Sequence, residues 1–212
     1  AALAVLESGG NAVDAAVTAG FVLAVVQPRS GNIGGGGFML VAPGDGEPVE
    51  AIDYREKAPA AATETMFQDA NGNVVTNRSR FTHLASGVPG TVAGFALALE
   101  RHGTLSLSEA LAPAIQLARD GFIVPPRFTE GLEQARDRLE RWPATRATFY
   151  KKDGSAPQPG EVFRQPELAD TLQRIAKQGV KGFYEGETAQ LIVAEMQRGE
   201  GLITLEDLRN YE

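Results

Sequence analysis

QPRSGNIGGGGFMLVAPGDGEPVEAIDYREKAP, residues 27–59, is the stretch on which the reading of this chain turns. Pro28 ends whatever helix precedes it, and a glycine run follows at Gly31 and Gly34 to Gly37. A short apolar strand is expected over Phe38 to Ala42, then a turn, then a second strand over Ala51 to Tyr54 that delivers Arg55. Four consecutive glycines let the backbone take positive φ, and they let another surface approach more closely than any Cβ-bearing run permits. Arg55 falls where a strand ends and a proline-containing loop begins, the usual place for a binding side chain held by a rigid scaffold.

Upstream, residues 1–8 read as the end of a helix stopped by Gly9 and Gly10. Asn11 then caps the next helix, and Asp14 three residues on completes a capping-box pattern at the positive end of the dipole. That helix, Ala12 to Val26, is apolar on every face and carries the small residues Ala12, Ala15, Ala16, Ala19 and Gly20, so it belongs between layers of a larger fold. Crossing a bilayer takes roughly 20 apolar residues. This run is interrupted by Asp14 and stopped by Pro28, so it is expected to be a buried helix and no membrane span is visible. No charged segment precedes it, so no signal peptide is visible either. The abrupt opening AALAVLESGGN reads as a chain whose natural N-terminus has been removed or lies upstream.

Downstream, Ala58 to Ser86 is mixed, with a turn at Asp69-Ala70-Asn71-Gly72-Asn73. Val88-Pro89-Gly90 opens a helix over roughly 91–101 that Gly103 closes. Ser106 to Glu109 is a capping box for a helix ending at Gly121, with Leu111, Ile115 and Ala118 at helical spacing and Pro113 near the first turns. A charged helix over 129–141, Glu133 to Arg141, is expected to face solvent, and a turn-rich segment spans Lys151 to Gly160. Two amphipathic helices follow, one carrying Leu168, Leu172 and Ile175, the other Ala189, Ile192 and Met196. Thr204 to Asp207 caps a last short helix. Strands cluster in the first quarter and helices dominate the second half, so what is present reads as α with a limited sheet contribution.

Composition narrows the chemistry. At 212 residues the chain fits one large domain, and 43% hydrophobic with 22% charged residues is globular. The net charge of −7, without a basic block, disfavours nucleic acid and anionic membranes. No cysteine is present, which excludes disulfides, thiolate metal sites and a cysteine nucleophile. With only His83 and His102, a histidine-rich metal site is excluded too, and no metal or other cofactor is expected.

The glycine run invites a phosphate-loop reading, because successive backbone N–H groups can cradle an anion. It lacks the Lys-Ser/Thr of a P-loop and is followed by a strand, so close backbone packing is the better reading. Arg55 offers a permanent charge and a planar fork that grips a carboxylate through two parallel hydrogen bonds. Against this, Asp53 and Arg55 point to one face of an extended strand and are able simply to pair; the residues alone leave the two readings even. Thr82-His83 tempts a nucleophile–base reading but is rejected, since strand neighbours face opposite ways and no acidic partner is placed. His102, just before Gly103, reads as a dipole partner at a helix C-terminus.

GGNAVDAAV (9–17), PRSGNIGGGGFMLV (28–41), IDYREKAPAAAT (52–63), HLASGVPGTVAGF (83–95), LARDGF (117–122) and GLITLEDLRNY (201–211) together resemble the γ-glutamyltranspeptidase family, in family order from end to end. The resemblance implies a helix-rich α/β (α+β) fold, that of an N-terminal-nucleophile hydrolase with an αββα sandwich. Of that sandwich only the N-terminal part of the large subunit would be present, as one partial domain over 1–212. It implies a precursor that cuts itself to expose a threonine, which attacks the γ-glutamyl amide of glutathione or another γ-glutamyl compound. Water, or an acceptor amino acid or peptide, then resolves the γ-glutamyl-enzyme. In the family's D-[FY]-R-E motif the arginine holds the substrate α-carboxylate; here that residue is Arg55, with Glu56 in support.

Nothing in the chain matches the processing threonine, so no catalytic residue is assigned, and the chain alone is expected to be inactive. It would need the small subunit and the remainder of the large subunit as partners, and would leave sheet edges and apolar faces uncovered. A periplasmic or extracellular location is implied by resemblance only. Two alternatives stay open: a related cephalosporin or glutaryl acylase subunit, and a non-catalytic carboxylate-binding or assembly chain.

Overall fold

A computed structural model describes residues 1–44 and 46–212; Asp45, in the turn expected between the first two strands, lies outside the described residues. The first helices are α1 (Ala2–Glu7) and α2 (Ala12–Val26). The Asn11 side chain accepts from the Val13 and Asp14 amides while Asp14 accepts from the Asn11 amide, so the expected capping box is formed. Strands β1 (Phe38–Val41) and β2 (Glu50–Asp53) pair antiparallel, with Met39 opposite Ile52. A short helix α3 (Arg78–Phe81) and a 3₁₀ turn at His83–Ala85 lead to α4 (Thr91–His102) and α5 (Leu107–Asp120).

The second half holds α6 (Pro126–Leu139), α7 (Pro143–Phe149), α8 (Pro166–Gln178), α9 (Lys181–Tyr184), α10 (Gly186–Arg198) and α11 (Leu205–Arg209). Strands β3 (Phe122–Ile123) and β4 (Val162–Phe163) form a second antiparallel pair. At two residues each they carry no period, which is why residue spacing does not reveal them. The architecture is the expected helix-rich α/β, its strands held in two separate pairs.

The core is built around α2 and α5. Helix α5 packs against α2 on one side and α8 on the other, burying Leu111, Ala114 and Ala118 together with Val17, Phe21, Val25, Leu172 and Ile175. Each large side chain fully removed from water contributes about 1.5–3 kcal/mol. Gly20 leaves room for the Phe95 ring of α4, which meets Phe21 edge-on at 5.1 Å. Helix α2 is not buried all round, as expected of it, because Leu23 stays 44% exposed. Pro113 is the seventh residue of α5, at the end of its second turn, and the Glu109 carbonyl that loses its donor there belongs to an exposed residue. A smaller cluster joins Leu132 of α6 to Tyr150 and Ala156 while the charged face of that helix stays solvated, with Arg136 bridging Glu133 and Glu140.

One face of β1–β2 faces the core through Val41 and Ile52. The other leaves Phe38 62% and Leu40 75% exposed, an apolar strip uncovered within this chain. His102, at the end of α4, ties that helix to β2 through Glu50 at 2.6 Å, with Arg101 on the same carboxylate. The two hold the Glu50 carboxyl below its ordinary range, His102 first.

Asp14 is the structural carboxylate of the fold. It is fully buried and accepts from the Thr104 amide (2.8 Å), the Thr104 hydroxyl (2.7 Å), the Leu105 amide (3.0 Å) and the Asn11 amide (2.8 Å). Burial pushes its carboxyl up, but the bonds from Leu105, Thr104 and Asn11 outweigh that and hold it below the ordinary value. The charged form is therefore favoured by folding, so its contribution is complete above the unfolded value near 3.8 and is lost as pH falls through the lower folded one. Asp14→Asn is expected to cost about 2–3 kcal/mol at neutral pH, with the deficit shrinking below pH ~4, as read from urea unfolding across pH. Thr18 poses the opposite case, since its buried hydroxyl has no partner among the described residues. Thr18→Val keeps the shape and is expected to raise stability by about 1 kcal/mol in the same measurement.

Candidate functional site

Glycines do bring a second backbone close to the 27–59 stretch, but not by the conformation expected. None of Gly31 and Gly34 to Gly37 takes positive φ; the run is used for contact. A Cβ on Gly36 would stand 2.7 Å from the Glu56 amide nitrogen and 2.9 Å from the Arg55 carbonyl carbon, which backbone cannot yield to without moving. Gly37 exchanges both backbone hydrogen bonds with Tyr54 (3.0 and 3.3 Å), carrying the β1–β2 ladder one pair further. The Gly35 carbonyl accepts from the Gly90 and Thr91 amides (2.7 and 3.0 Å), joining the loop to the start of α4. Asn32 closes the turn by accepting from the Gly35 amide at 2.7 Å and from the buried Thr91 hydroxyl at 3.1 Å. As expected of a packing loop rather than a phosphate loop, the run feeds a strand.

Arg55 sits immediately beyond β2. Its amide donates to Asp53 Oδ1 at 3.0 Å, and its carbonyl accepts from the Tyr211 hydroxyl at 2.7 Å. Two residues on, Lys57 exchanges backbone bonds with Val88 (2.7 and 3.1 Å). The peptide of Arg55 is therefore held on both sides while its side chain stays exposed, and none of the ion pairs among the described residues includes it. Asp53 engages the Arg55 backbone in place of the guanidinium, so the side-chain pairing left open by strand geometry is not what forms. Glu56 is exposed beside it, its stem close to Gly87.

The tertiary structure adds residues that spacing gave no way to find. Tyr211 is 156 residues from Arg55 in sequence. Its ring stacks on Tyr184 (5.7 Å, 7° between planes), and the Tyr184 hydroxyl donates to the Pro89 carbonyl at 2.9 Å. Lys57 lies 5.6 Å from the Tyr211 ring centre. An open cleft of about 240 Å³ is lined by Lys57, Val88, Thr204, Asp207 and Tyr211; another of about 340 Å³ lies over α5 near Arg119 and Gln173. Arg55, exposed on the surface of this chain, lines neither of these two clefts.

Thr82 and His83 do not work together, because the Thr82 hydroxyl donates to the Arg78 carbonyl at 2.6 Å. The expectation that His83 lacks an acidic partner is corrected: folding brings Glu195 of α10 to 2.8 Å, a contact invisible over 112 residues of separation. Arg198 and then His83 push the Glu195 carboxyl down to about 2, and Trp142 covers the ring edge-on at 4.7 Å. This is a clamp between segments. Among the described residues no group of three His, Asp or Glu side chains stands at metal-binding spacing, and no helix is long and apolar enough to cross a membrane.

A protein-family model described as Gamma-glutamyltranspeptidase matches residues 1–212. The chain belongs to the gamma-glutamyltranspeptidase family. It is 47% identical over 209 residues to the glutathione hydrolase proenzyme of Escherichia coli (strain K12), which covers 98% of this chain and 36% of that relative. Among solved structures, the gamma-glutamyltranspeptidase of Helicobacter pylori superposes with a TM-score of 0.97 at 48% identity, over all of this chain and 60% of that one. More distant within the same fold is a cephalosporin acylase from Bacillus halodurans, with a TM-score of 0.83 at 32% identity, covering 100% and 40%. The chain thus spans about a third of the length of the curated family member it matches.

The close approach at Gly36 sets a test of the site's scaffold. Gly36→Ala is expected to destabilise by about 1–3 kcal/mol, whereas Gly34→Ala, where a Cβ meets open space, is expected to be near neutral; urea midpoints of the two variants read the difference.

Proposed function

We propose that this chain is the N-terminal portion of the large subunit of a γ-glutamyltransferase and glutathione hydrolase, a single partial domain over 1–212, and that Arg55 grips the α-carboxylate of the γ-glutamyl substrate. The observation that carries the reading is the state of Arg55: backbone fixed by Asp53 and Tyr211, guanidinium exposed and in no ion pair among the described residues. A donor fork on a fixed backbone, with no acid paired to it among the described residues, suits an incoming carboxylate, through two parallel charge-assisted bonds. Family membership supports the substrate class, as does the name glutathione hydrolase on its relatives.

In this reading the reacting groups come from outside these residues. A threonine freed by self-cleavage of the precursor attacks the γ-amide carbonyl, its own α-amine taking the hydroxyl proton and passing it to the amine that leaves as the C–N bond breaks. Donors elsewhere stabilise the oxyanion, and water or an acceptor amino acid or peptide releases the γ-glutamyl group. This chain's part is to hold the far end of the acyl group so that the amide lies at the nucleophile. The small subunit and the rest of the large subunit are its partners, and the Phe38–Leu40 strip is an apolar surface for them to cover. The periplasm or the cell exterior is the proposed location.

The likeness to a cephalosporin acylase keeps a second acyl group in play. Glutaryl and γ-glutamyl groups share the carboxylate that Arg55 would grip and differ in the α-amine, so paired assays on the two amides separate the readings.

In the full-length protein, Arg55→Lys keeps the charge but loses the fork. It is expected to raise KM for γ-glutamyl-p-nitroanilide by about 10- to 100-fold, equivalent to about 1.5–3 kcal/mol, with a smaller effect on kcat. An unchanged KM would rule out the assigned role.

A further inference from the structure

The geometry points to Tyr211 as a positioning residue for Arg55, acting through the arginine's carbonyl; this inference rests on the carboxylate-binding reading of Arg55. The phenol donates to the Arg55 carbonyl at 2.7 Å, the one tertiary hydrogen bond made to the Arg55 peptide among the described residues. The other bond to that peptide is local, from its own amide to Asp53 two residues back. A local turn leaves the carbonyl free to rotate about the following bonds, and the Tyr211 hydroxyl removes that freedom.

The tyrosine is itself anchored. Its ring lies flat on the buried Tyr184, whose hydroxyl is engaged both by the Pro89 carbonyl at 2.9 Å and by the Ala93 amide at 3.3 Å. Its hydroxyl rests against Gly90, where a Cβ would occupy the same space. The opposite side of the Arg55–Glu56 peptide is closed by Gly36. The arginine's main chain is thus gripped between the glycine loop and a phenol delivered by the last helical segment, after α11. Burial, with Asp53 and Glu56 nearby, pushes the Tyr211 hydroxyl's pKa up, so it remains a donor across the working range of pH.

Loosening this grip lets the guanidinium swing while leaving its chemistry intact, so substrate capture suffers and the later chemical step does not. The test compares wild type, Tyr211→Phe, Arg55→Lys and the double variant of the full-length protein on γ-glutamyl-p-nitroanilide. Phenylalanine keeps the stack on Tyr184, and a thermal melt of each variant accompanies the kinetics. Tyr211→Phe is expected to raise KM by about two- to tenfold with kcat within twofold. In the Arg55→Lys background it is expected to add little, because the fork it positions is already gone. A KM unchanged by Tyr211→Phe while Arg55→Lys raises it overturns the positioning role alone. Fully multiplicative effects in the double variant, or a fall in kcat alongside the melting midpoint, overturn it as well by identifying a general scaffold role. An Arg55→Lys protein with wild-type KM removes the underlying reading of Arg55, and the inference falls with it.

Discussion

The contact between two stretches of main chain, Gly35 to Gly37 on one side and Tyr54 to Glu56 on the other, is the constraint from which the rest of the site follows. Backbones meet this closely only where no Cβ intervenes, and here that requirement falls at Gly36. From it come the extension of the β1–β2 ladder by Gly37 and Tyr54, the docking of the loop on the start of α4, and the fixed direction in which the chain leaves β2. The Tyr54 ring, seated against Gly94 and meeting Phe95 edge-on at 5.7 Å, carries the same constraint into the core beneath α2.

Two charged residues with opposite fates show how the fold separates structure from function. Asp14 is buried, and every bond it accepts is internal, so its charge serves to join α2 to the turn before α5. Arg55 has its backbone satisfied in the same thorough way, yet its guanidinium is left without an internal partner among the described residues. A carboxylate given four donors is a structural element; a guanidinium given a rigid base and no acceptor is available for binding. In between stand His83 with Glu195, and His102 with Glu50, where imidazole–carboxylate hydrogen bonds at partly buried positions hold helices to their neighbours.

Much of the fold was legible because it is written in local chemistry. The Asn11–Asp14, Ser106–Glu109 and Thr204–Asp207 caps are all formed as their spacing predicts, since a capping box involves residues three apart and nothing else. The Asp69–Asn73 turn closes on the Asp69 carboxylate for the same reason. Less was legible where distance in sequence replaces spacing. The β3–β4 pair, the partner of His83 and the identity of the segment that packs on the glycine run all depend on where remote segments come to lie.

By itself the sequence determined the family, the helices with their caps, and Arg55 as the residue of interest. Each is carried by residue types within a few positions of one another. The tertiary structure decided what surrounds Arg55: that Asp53 takes its amide, that Tyr211 arrives from the far end of the chain to take its carbonyl, and that no acid among the described residues pairs with its charge. A strand places Asp53 and Arg55 on one face but does not say which atoms will bond. That choice is made by the packing of α11 and Tyr184 beneath Tyr211, a non-local arrangement that no short-range pattern encodes.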